Sequence, residues 1–473
     1  MKKITQKILL FTASILLMYS CNTVDFGDIN TDPNNPSTPS SSGLLANALR
    51  SLPGHLTNTT AILYAQYTAN GQYPDESRYG TLNWSYYGWY SGALRDLQEV
   101  ITLNTASTSG SASNTVAVAT LLRAYYLHNM TDRWGMIPYT EALKGLDDTF
   151  PALDSQETVY RGVIGEIDTA LGMINGNGNP DGDILFGGNM TKWTKFGNTL
   201  KAIMALRLSK KNAAMSDYPK TKFNEAIGGA IKSSSENMYY TFLSDDNNDN
   251  PWQDRYVDSG RTDWLMSDVI VDYMIGTGTD TAPQDPRLHK YADPLVGTNK
   301  YVGADYGAGN DLVANYSLPT TDIIYSQTAP AYIFTAAQIQ FSMAEAAVLG
   351  WMGTPADAAT YYNAGIQESM NQWGVAAADA TAFIASAPYV NMQSIAEQKW
   401  VALFLQGYEA WAEWRRIGGP ATIVKPANQL QGTDIPQRQA YSSTTPSINK
   451  ENYDAAIAAQ GPDTLDTKVW WAK

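Results

Sequence analysis

Reactive and cross-linking groups are scarce in this chain. Its 473 residues include one cysteine, Cys21, and three histidines, His55, His128 and His289, which lie far apart. A single cysteine excludes an internal disulfide and a thiolate metal site, so the fold owes nothing to either. No HExxH metal helix, GxSxG elbow, GxxxxGK[ST] phosphate loop or GxGxxG fingerprint occurs. Charged residues are thin too, at 16% against the usual quarter. The charge present is acidic: the net value is −14, or −17 once Lys2, Lys3 and Lys7 are set aside. That balance argues against nucleic acid, which wants a basic surface. Beyond residue 20 no stretch is apolar enough to span a bilayer.

The N-terminus reads MKKITQKILLFTASILLMYSC. A basic start is followed by an apolar run from Ile8 to Met18, too short for a membrane span and of the length of a signal-peptide core. Leu17-Met18-Tyr19-Ser20-Cys21 then resembles a lipobox, with a small residue before the only cysteine. Lipidation gives that lone thiol of an exported protein a reason. Several acyl chains together anchor stably where one does not. Residues 1–20 are therefore read as a lipoprotein signal peptide. Residues 21–43 are read as lipidated Cys21 and a flexible tether, because NTVDFGDINTDPNNPSTPSSSG is polar, Pro-rich and without apolar period.

The remainder, 44–473, reads as one domain that is mostly helical. Helical period marks 43–70 (broken at Pro53-Gly54), 83–104, 114–131, 155–174, 191–215, 221–232, 262–275, 335–352, 355–373 and 391–416. Ser155 or Asp154 is placed to cap the helix that follows. The pair within 335–373 has the size and small-residue packing of a tetratricopeptide-type hairpin, without its literal consensus. Long loops lie between, at 71–82, 132–153, 175–190, 240–261, 276–334 and 417–473, and loops this long in a compact domain usually carry function. Candidate short strands within them are 300–302 and 322–325.

Four segments carry a family resemblance. They are Phe26-Gly27-Asp28-Ile29-Asn30-Thr31-Asp32-Pro33-Asn34 after the lipobox, and Asp132-Arg133-Trp134-Gly135-Met136-Ile137-Pro138-Tyr139. The third is Asp285-Pro286-Arg287-Leu288. The fourth is Gln398-Lys399-Trp400 running on to Gly407-Tyr408-Glu409-Ala410-Trp411-Ala412-Glu413-Trp414-Arg415-Arg416. In order and spacing they resemble the SusD/RagB-type nutrient-binding lipoproteins of Bacteroidetes, in a SusD-like subfamily. The resemblance implies a SusD-like fold: four tetratricopeptide-like helix pairs as scaffold, a loop-rich ligand face and a few short strands. It also implies a place on the outer face of the outer membrane as a lid over a SusC-like TonB-dependent transporter. Oligosaccharides or peptides would be the ligands, and no enzymatic activity is implied. The family has no invariant ligand motif, so no binding residue carries over from it.

Candidate ligand contacts come instead from the residues themselves. Aromatics in loops can keep a ring face exposed beside polar groups that fix orientation. Tyr73, Tyr79 and Trp84 lie in or beside loop 71–82, and Trp252, Arg255, Tyr256 and Arg261 in loop 240–261. The 29 Tyr and 13 Trp suit such a site and equally suit an exported protein with an aromatic core. Residues 407–416 read as a structural helix, with Arg415 or Arg416 near its C-terminal end. No cofactor is expected. Calcium is the one open ion, since Asp245-Asp246-Asn247-Asn248-Asp249-Asn250 and Asn177-Gly178-Asn179-Pro180-Asp181-Gly182 are rich in oxygen ligands, though neither completes an EF-hand and both also read as solvated loops. A surface hydrolase on a helical scaffold stays open as the alternative to a binding protein, because a glycosidase needs only two carboxylates. So does a purely structural lipoprotein.

Overall fold

The computed structural model describes residues 39–309 and 313–473; Cys21, the lipobox and most of the stretch read as tether lie outside them. Twelve helices of ten or more residues appear among the described residues. They are α1 (Ser41–Arg50), α2 (Ala93–Thr105), α3 (Ala112–Trp134), α4 (Gln156–Met173), α5 (Met190–Arg207) and α6 (Tyr218–Ile227), followed by α7 (Ala336–Val348), α8 (Ala358–Gln372), α9 (Ala377–Ser386), α10 (Met392–Ala402), α11 (Gly407–Ile417) and α12 (Lys450–Gln460).

Local chemistry sets the helix starts. Ser155 Oγ accepts from Thr158 N at 3.1 Å, Asn189 Oδ1 from Lys192 N at 3.0 Å and Asn391 Oδ1 from Gln393 N at 2.8 Å, each satisfying one of the orphan N–H groups of a first turn. Ser40 caps α1 in the same way. The helix therefore begins inside the stretch read as tether.

Successive helices pack on one another from α2 through α6, and again from α7 through α9, while α10 packs on α7 and α11 on α10. The α7–α8 hairpin is the tetratricopeptide-like pair expected from its size. Its helices approach closely because a Cβ on Gly365 would sit 2.8 Å from the Phe341 ring. The contact of α5 with α7 joins the two halves.

Strand content is slight. The strands are β1 (Thr68–Asn70), β2 (Asn83–Trp84), β3 (Ile137–Pro138), β4 (Leu153–Asp154), β5 (Met238–Tyr240), β6 (Trp264–Met266), β7 (Ala331–Phe334) and β8 (Ala440–Tyr441). They form two-stranded pairs: β1–β6, β3–β4 and β5–β7 antiparallel, β2–β8 parallel.

Several expectations need correction. The single helix expected over 391–416 is two, separated by Leu403–Gln406, where Leu405 adopts φ +67°. Gly407 restarts the helix against the Ala61 backbone, where no Cβ fits. The helix expected from 262 begins only at Asp268, because Trp264–Met266 pairs as a strand with Thr68–Asn70. Of the two candidate strands in loop 276–334, residues 322–325 lie in and just beyond the helical turn Thr321–Ile324 and 300–302 form none; the strand of that loop is β7. The 417–473 loop holds α12.

A buried ion network ties five helices together. Arg207, fully buried at the end of α5, pairs with Asp132 of α3 at 3.1 Å, with Glu409 of α11 at 2.6 Å and with Glu413 of α11. Lys399 of α10 meets Glu413 at 2.6 Å. Arg416 meets Glu413 at 2.5 Å and Glu345 of α7 at 2.6 Å. Arg415 does not serve the last carbonyls of its own helix. Its guanidinium donates to the carbonyls of Asp132 at 2.8 Å and Gln437 at 2.9 Å, and stacks 3.5 Å over Trp411. Arg207, Lys399 and Arg416 thus face Asp132, Glu345, Glu409 and Glu413, with His128 also 3.1 Å from Asp132.

Burial alone would raise the Asp132 pKa, but His128 and Arg207 outweigh it and hold the carboxyl at about 2. Glu413 is likewise held well below its usual range: burial pushes it up, and Arg416, Lys399 and Arg207 pull it down further. Burial, then Arg133, lowers the His55 pKa from 6.5 to about 3. All three folded values are depressed, so the stabilisation is present above the unfolded values and lost as pH falls toward the folded ones. Resistance to urea unfolding is expected to weaken as pH drops below 6.5, through His55, and more steeply below 4, where Asp132 alone accounts for about 2 kcal/mol. Asp132→Asn should flatten only the lower part of that profile; an unchanged slope below pH 4 would contradict the assignment.

Candidate functional site

The break between α10 and α11 opens onto a cavity of about 210 Å³. Phe404, Leu405 and Gln406 form one wall. Gln372 and Trp373, at the end of α8, form a second. Asn250 and Trp252 form a third, and Ala329–Tyr332 a fourth, with Lys290 and Asp322 also among the lining residues. Trp373 packs 4.9 Å from Tyr291 and 5.9 Å from Phe404, and Tyr332 lies 6.3 Å from Trp373. On the other side of Tyr332, the exposed Tyr239 ring sits 5.7 Å away across the β5–β7 pair. The volume is below the ~300–1,000 Å³ of sites that enclose a whole drug-sized ligand. It suits one unit of a longer molecule.

The polar groups of these walls are unusual. Gln406 is 7% exposed, and neither its Nε2 nor its Oε1 has a hydrogen-bond partner. Gln372 Nε2 and Trp373 Nε1 are also buried and unpaired. Leaving such a group unsatisfied costs roughly 1–3 kcal/mol, and native folds rarely keep four together. Three donors and one acceptor beside aromatic faces are equipped to hydrogen-bond a neutral polar guest. The non-glycine φ of +67° at Leu405 is strained backbone of the kind that collects at functional sites.

A smaller space of about 30 Å³ adjoins through Leu56, Tyr332 and Gln406. His55 lies in it, stacked 5.3 Å from Tyr408 and edge-on to Trp89 and Tyr125, with Nε2 2.9 Å from Asn129 Oδ1. A pKa of about 3 keeps this histidine neutral at ordinary pH, so it is not poised as an acid or base.

Of the loop residues expected to meet ligand, the β1–β6 pairing brings two groups together. Arg261 lies 5.2 Å from the Tyr73 ring, half exposed, and is held by Asp263 at 2.8 and 2.5 Å. Arg255 stacks 4.8 Å from Trp252 and 5.7 Å from Trp264, and burial lowers its pKa. Trp252 is 2% exposed but lines the cavity. Two expectations fail on burial. Tyr79 packs between Tyr64 and Tyr306 with its hydroxyl on Gln66, and Tyr256 gives its hydroxyl to the Trp264 carbonyl. Neither offers a free face. Trp84 is half-buried in the β2–β8 pair, its carbonyl accepting from Trp134 Nε1 at 3.1 Å.

Sequence reasoning missed Tyr332, Gln372, Trp373, Phe404 and Gln406. The last two sat inside a run read as one helix. Gly407 in mid-pattern was the one local hint of the break.

Comparison with known proteins adds three findings. Residues 33–442 match the SusD-like family model described as "Starch-binding associating with outer membrane". No individually curated protein matches in sequence. Among solved structures, the chain is similar to a SusD homolog from Bacteroides fragilis, with TM-score 0.80 and 22% identity over 91% of this chain and 100% of that one. It is also similar to a chitin-binding SusD homolog from Flavobacterium johnsoniae, with TM-score 0.75 and 24% identity over 92% and 98%. A SusD homolog from Bacteroides uniformis gives TM-score 0.75 and 23% identity over 92% and 100%. These likenesses establish the fold.

If the Gln406 amide is reserved for a guest, its loss relieves the free protein. Gln406→Leu is expected to raise unfolding stability by about 1 kcal/mol in urea melts. A destabilised variant would show that the amide is already bonded within the fold.

Proposed function

The chain belongs to the SusD-like family of outer-membrane starch-binding proteins, and from that footing we propose that it captures an oligosaccharide outside the cell. In this reading a lipid on Cys21 holds it at the outer face of the outer membrane, and it hands its cargo to a SusC-like TonB-dependent transporter. The observation that carries the reading is the cavity in which Trp252, Tyr332 and Trp373 stand beside the unpaired amide of Gln406 and the unpaired Nε2 of Gln372.

A sugar ring has an apolar face and a rim of hydroxyls. Aromatic side chains cover the first and amides bond the second. The cavity admits one unit of a chain whose remainder would run over the open surface past Tyr239. The aromatic faces beside amide donors suit a glycan, and Lys290 and Asp322 in the same lining add one charge of each sign. Two relatives described as chitin-binding, one of them from Flavobacterium johnsoniae, make N-acetylglucosamine oligomers, with starch oligomers, the first ligands to try. Arg261 and Tyr73 would act as an outer contact for a longer chain.

A binding role without catalysis is in keeping with the charged groups: Asp132, Arg207 and Glu413 are engaged in the ion network away from the cavity lining, and His55 beside the cavity is held neutral.

Calorimetry with chitin and starch oligomers is expected to show binding that Trp373→Ala weakens at least about tenfold, with no cleavage products after prolonged incubation. From membranes the protein should co-purify with a large β-barrel, and Cys21→Ser should lose independent membrane retention. Cleavage of a glycan, or binding indifferent to Trp373, would defeat the proposal.

A further inference from the structure

The oxygen-rich segment at 245–250 folds back on itself, with Leu243 N on Asn248 O at 2.9 Å and Asn248 N on Asp245 O at 3.0 Å. The chain then makes the short turn Pro251–Gln253 and a π-helical turn, Asp254–Asp258. Such π-turns are rare and gather at functional sites. This one carries Asp258 back toward the segment. Carboxylate oxygens of Asp246, Asp249 and Asp258 all lie within 4.8 Å of one another.

Two of the three are exposed, but Asp249 is only 5% exposed and its Oδ2 makes no hydrogen bond. Among the described residues no ion pair engages any of the three. Asp246 accepts from the neutral amide of Gln327 at 3.1 Å, and Asp258 accepts from that of Gln253 at 3.2 Å and shares a hydrogen bond with Asp254. Three crowded carboxylates, one with a buried and unbonded oxygen, thus have no cationic side chain among the described residues to balance them.

We propose that Asp246, Asp249 and Asp258 hold a calcium ion. Zinc prefers nitrogen and sulfur. An all-carboxylate, irregular set on a loop suits calcium, whose flexible shell takes six to eight oxygens, better than magnesium, which demands a near-ideal octahedron. Carbonyls and water would complete the shell.

The ion would bear on the cavity. Asn250 follows Asp249 directly, its side chain donating to Ala329 O at 2.6 Å and accepting from Trp252 N at 2.8 Å. Calcium would therefore pin the Asn250–Trp252 wall to the segment that carries Ala329–Tyr332. This second step, unlike the first, rests on the saccharide reading.

The test titrates calcium chloride into the EDTA-treated full chain in detergent, with no glycan present. One site is expected at the affinity of extracellular calcium modules, about 10⁻⁴–10⁻³ M or tighter, with a rise of several degrees in Tm. Magnesium should reproduce neither. Terbium, replacing calcium, should luminesce on tryptophan excitation. Asp249→Asn and Asp258→Asn, each shown to be folded by circular dichroism, should weaken binding at least about tenfold. Absence of calcium binding by the wild type, or variants that bind as it does, would overturn the site. Equal glycan affinity with and without calcium would overturn only the coupling to the cavity, and failure of every glycan to bind would tell against the saccharide reading while leaving the ion site intact.

Discussion

Arg207 and Arg416, both buried to the point of no contact with water, set the terms for the scaffold. A guanidinium cannot shed its charge in a protein, so each must be met by carboxylates. Asp132, Glu345, Glu409 and Glu413 meet them, and these residues come from α3, α7 and α11 while the cations come from α5, α10 and α11. Helices distant in sequence are therefore fixed in one relative arrangement. Removing a single member would leave a buried charge unmatched, at a cost of roughly 3–5 kcal/mol. Helix packing supplies most of the stability, and the network selects which packing.

The cavity inherits its position from that selection. α11 contributes Glu409, Glu413 and Arg416 to the network, so its N-terminus is held firmly, and Gly407 lets it press on the backbone of Ala61. The preceding residues, Phe404–Gln406, are then forced out of helical geometry and face the end of α8. Trp373 and Gln372 arrive there because the α7–α8 hairpin is fixed through Glu345. The cavity wall is thus a by-product of a rigid core: the Gln406 amide is held there without a bond of its own, and Gln372 through Oε1, which accepts from Asn237 Nδ2 at 3.3 Å. Rigid placement of polar groups is what lets a small pocket discriminate among hydroxyl patterns.

Much of the scaffold was legible in the sequence, and the reasons are local. α3 and α4 announce themselves by long apolar periods, and Ser155 caps where a capping residue was expected. Three of the four family segments fit the same frame, the segment 26–34 lying outside the described residues: Asp132-Arg133-Trp134 ends α3, Arg287 is buried against Asp285 and Gln398, and the run from Gln398 to Arg416 supplies Lys399, Glu413 and Arg416 to the network. The cavity was not legible. Its walls come from residues as far apart as Trp252 and Phe404, and the helix break that frees the Gln406 amide is imposed by contact with Ala61, of which Gly407 in mid-pattern is the one local sign. The loop aromatics show the same limit. Loops 71–82 and 240–261 were chosen for composition, and the β1–β6 pairing does bring them together. Yet Tyr79 and Tyr256 turn inward while Tyr73 stays out, because burial is decided by the partner loop.

A crystal structure with a bound saccharide tests the central claim most directly. The account predicts a sugar unit in the cavity between Trp252, Tyr332 and Trp373, with its hydroxyls or acetamido group on Gln372, Gln406 and Trp373 Nε1, and with the Arg207–Glu413–Arg416 network unmoved. A saccharide seated elsewhere on the surface, with those amides still unpaired, would contradict it.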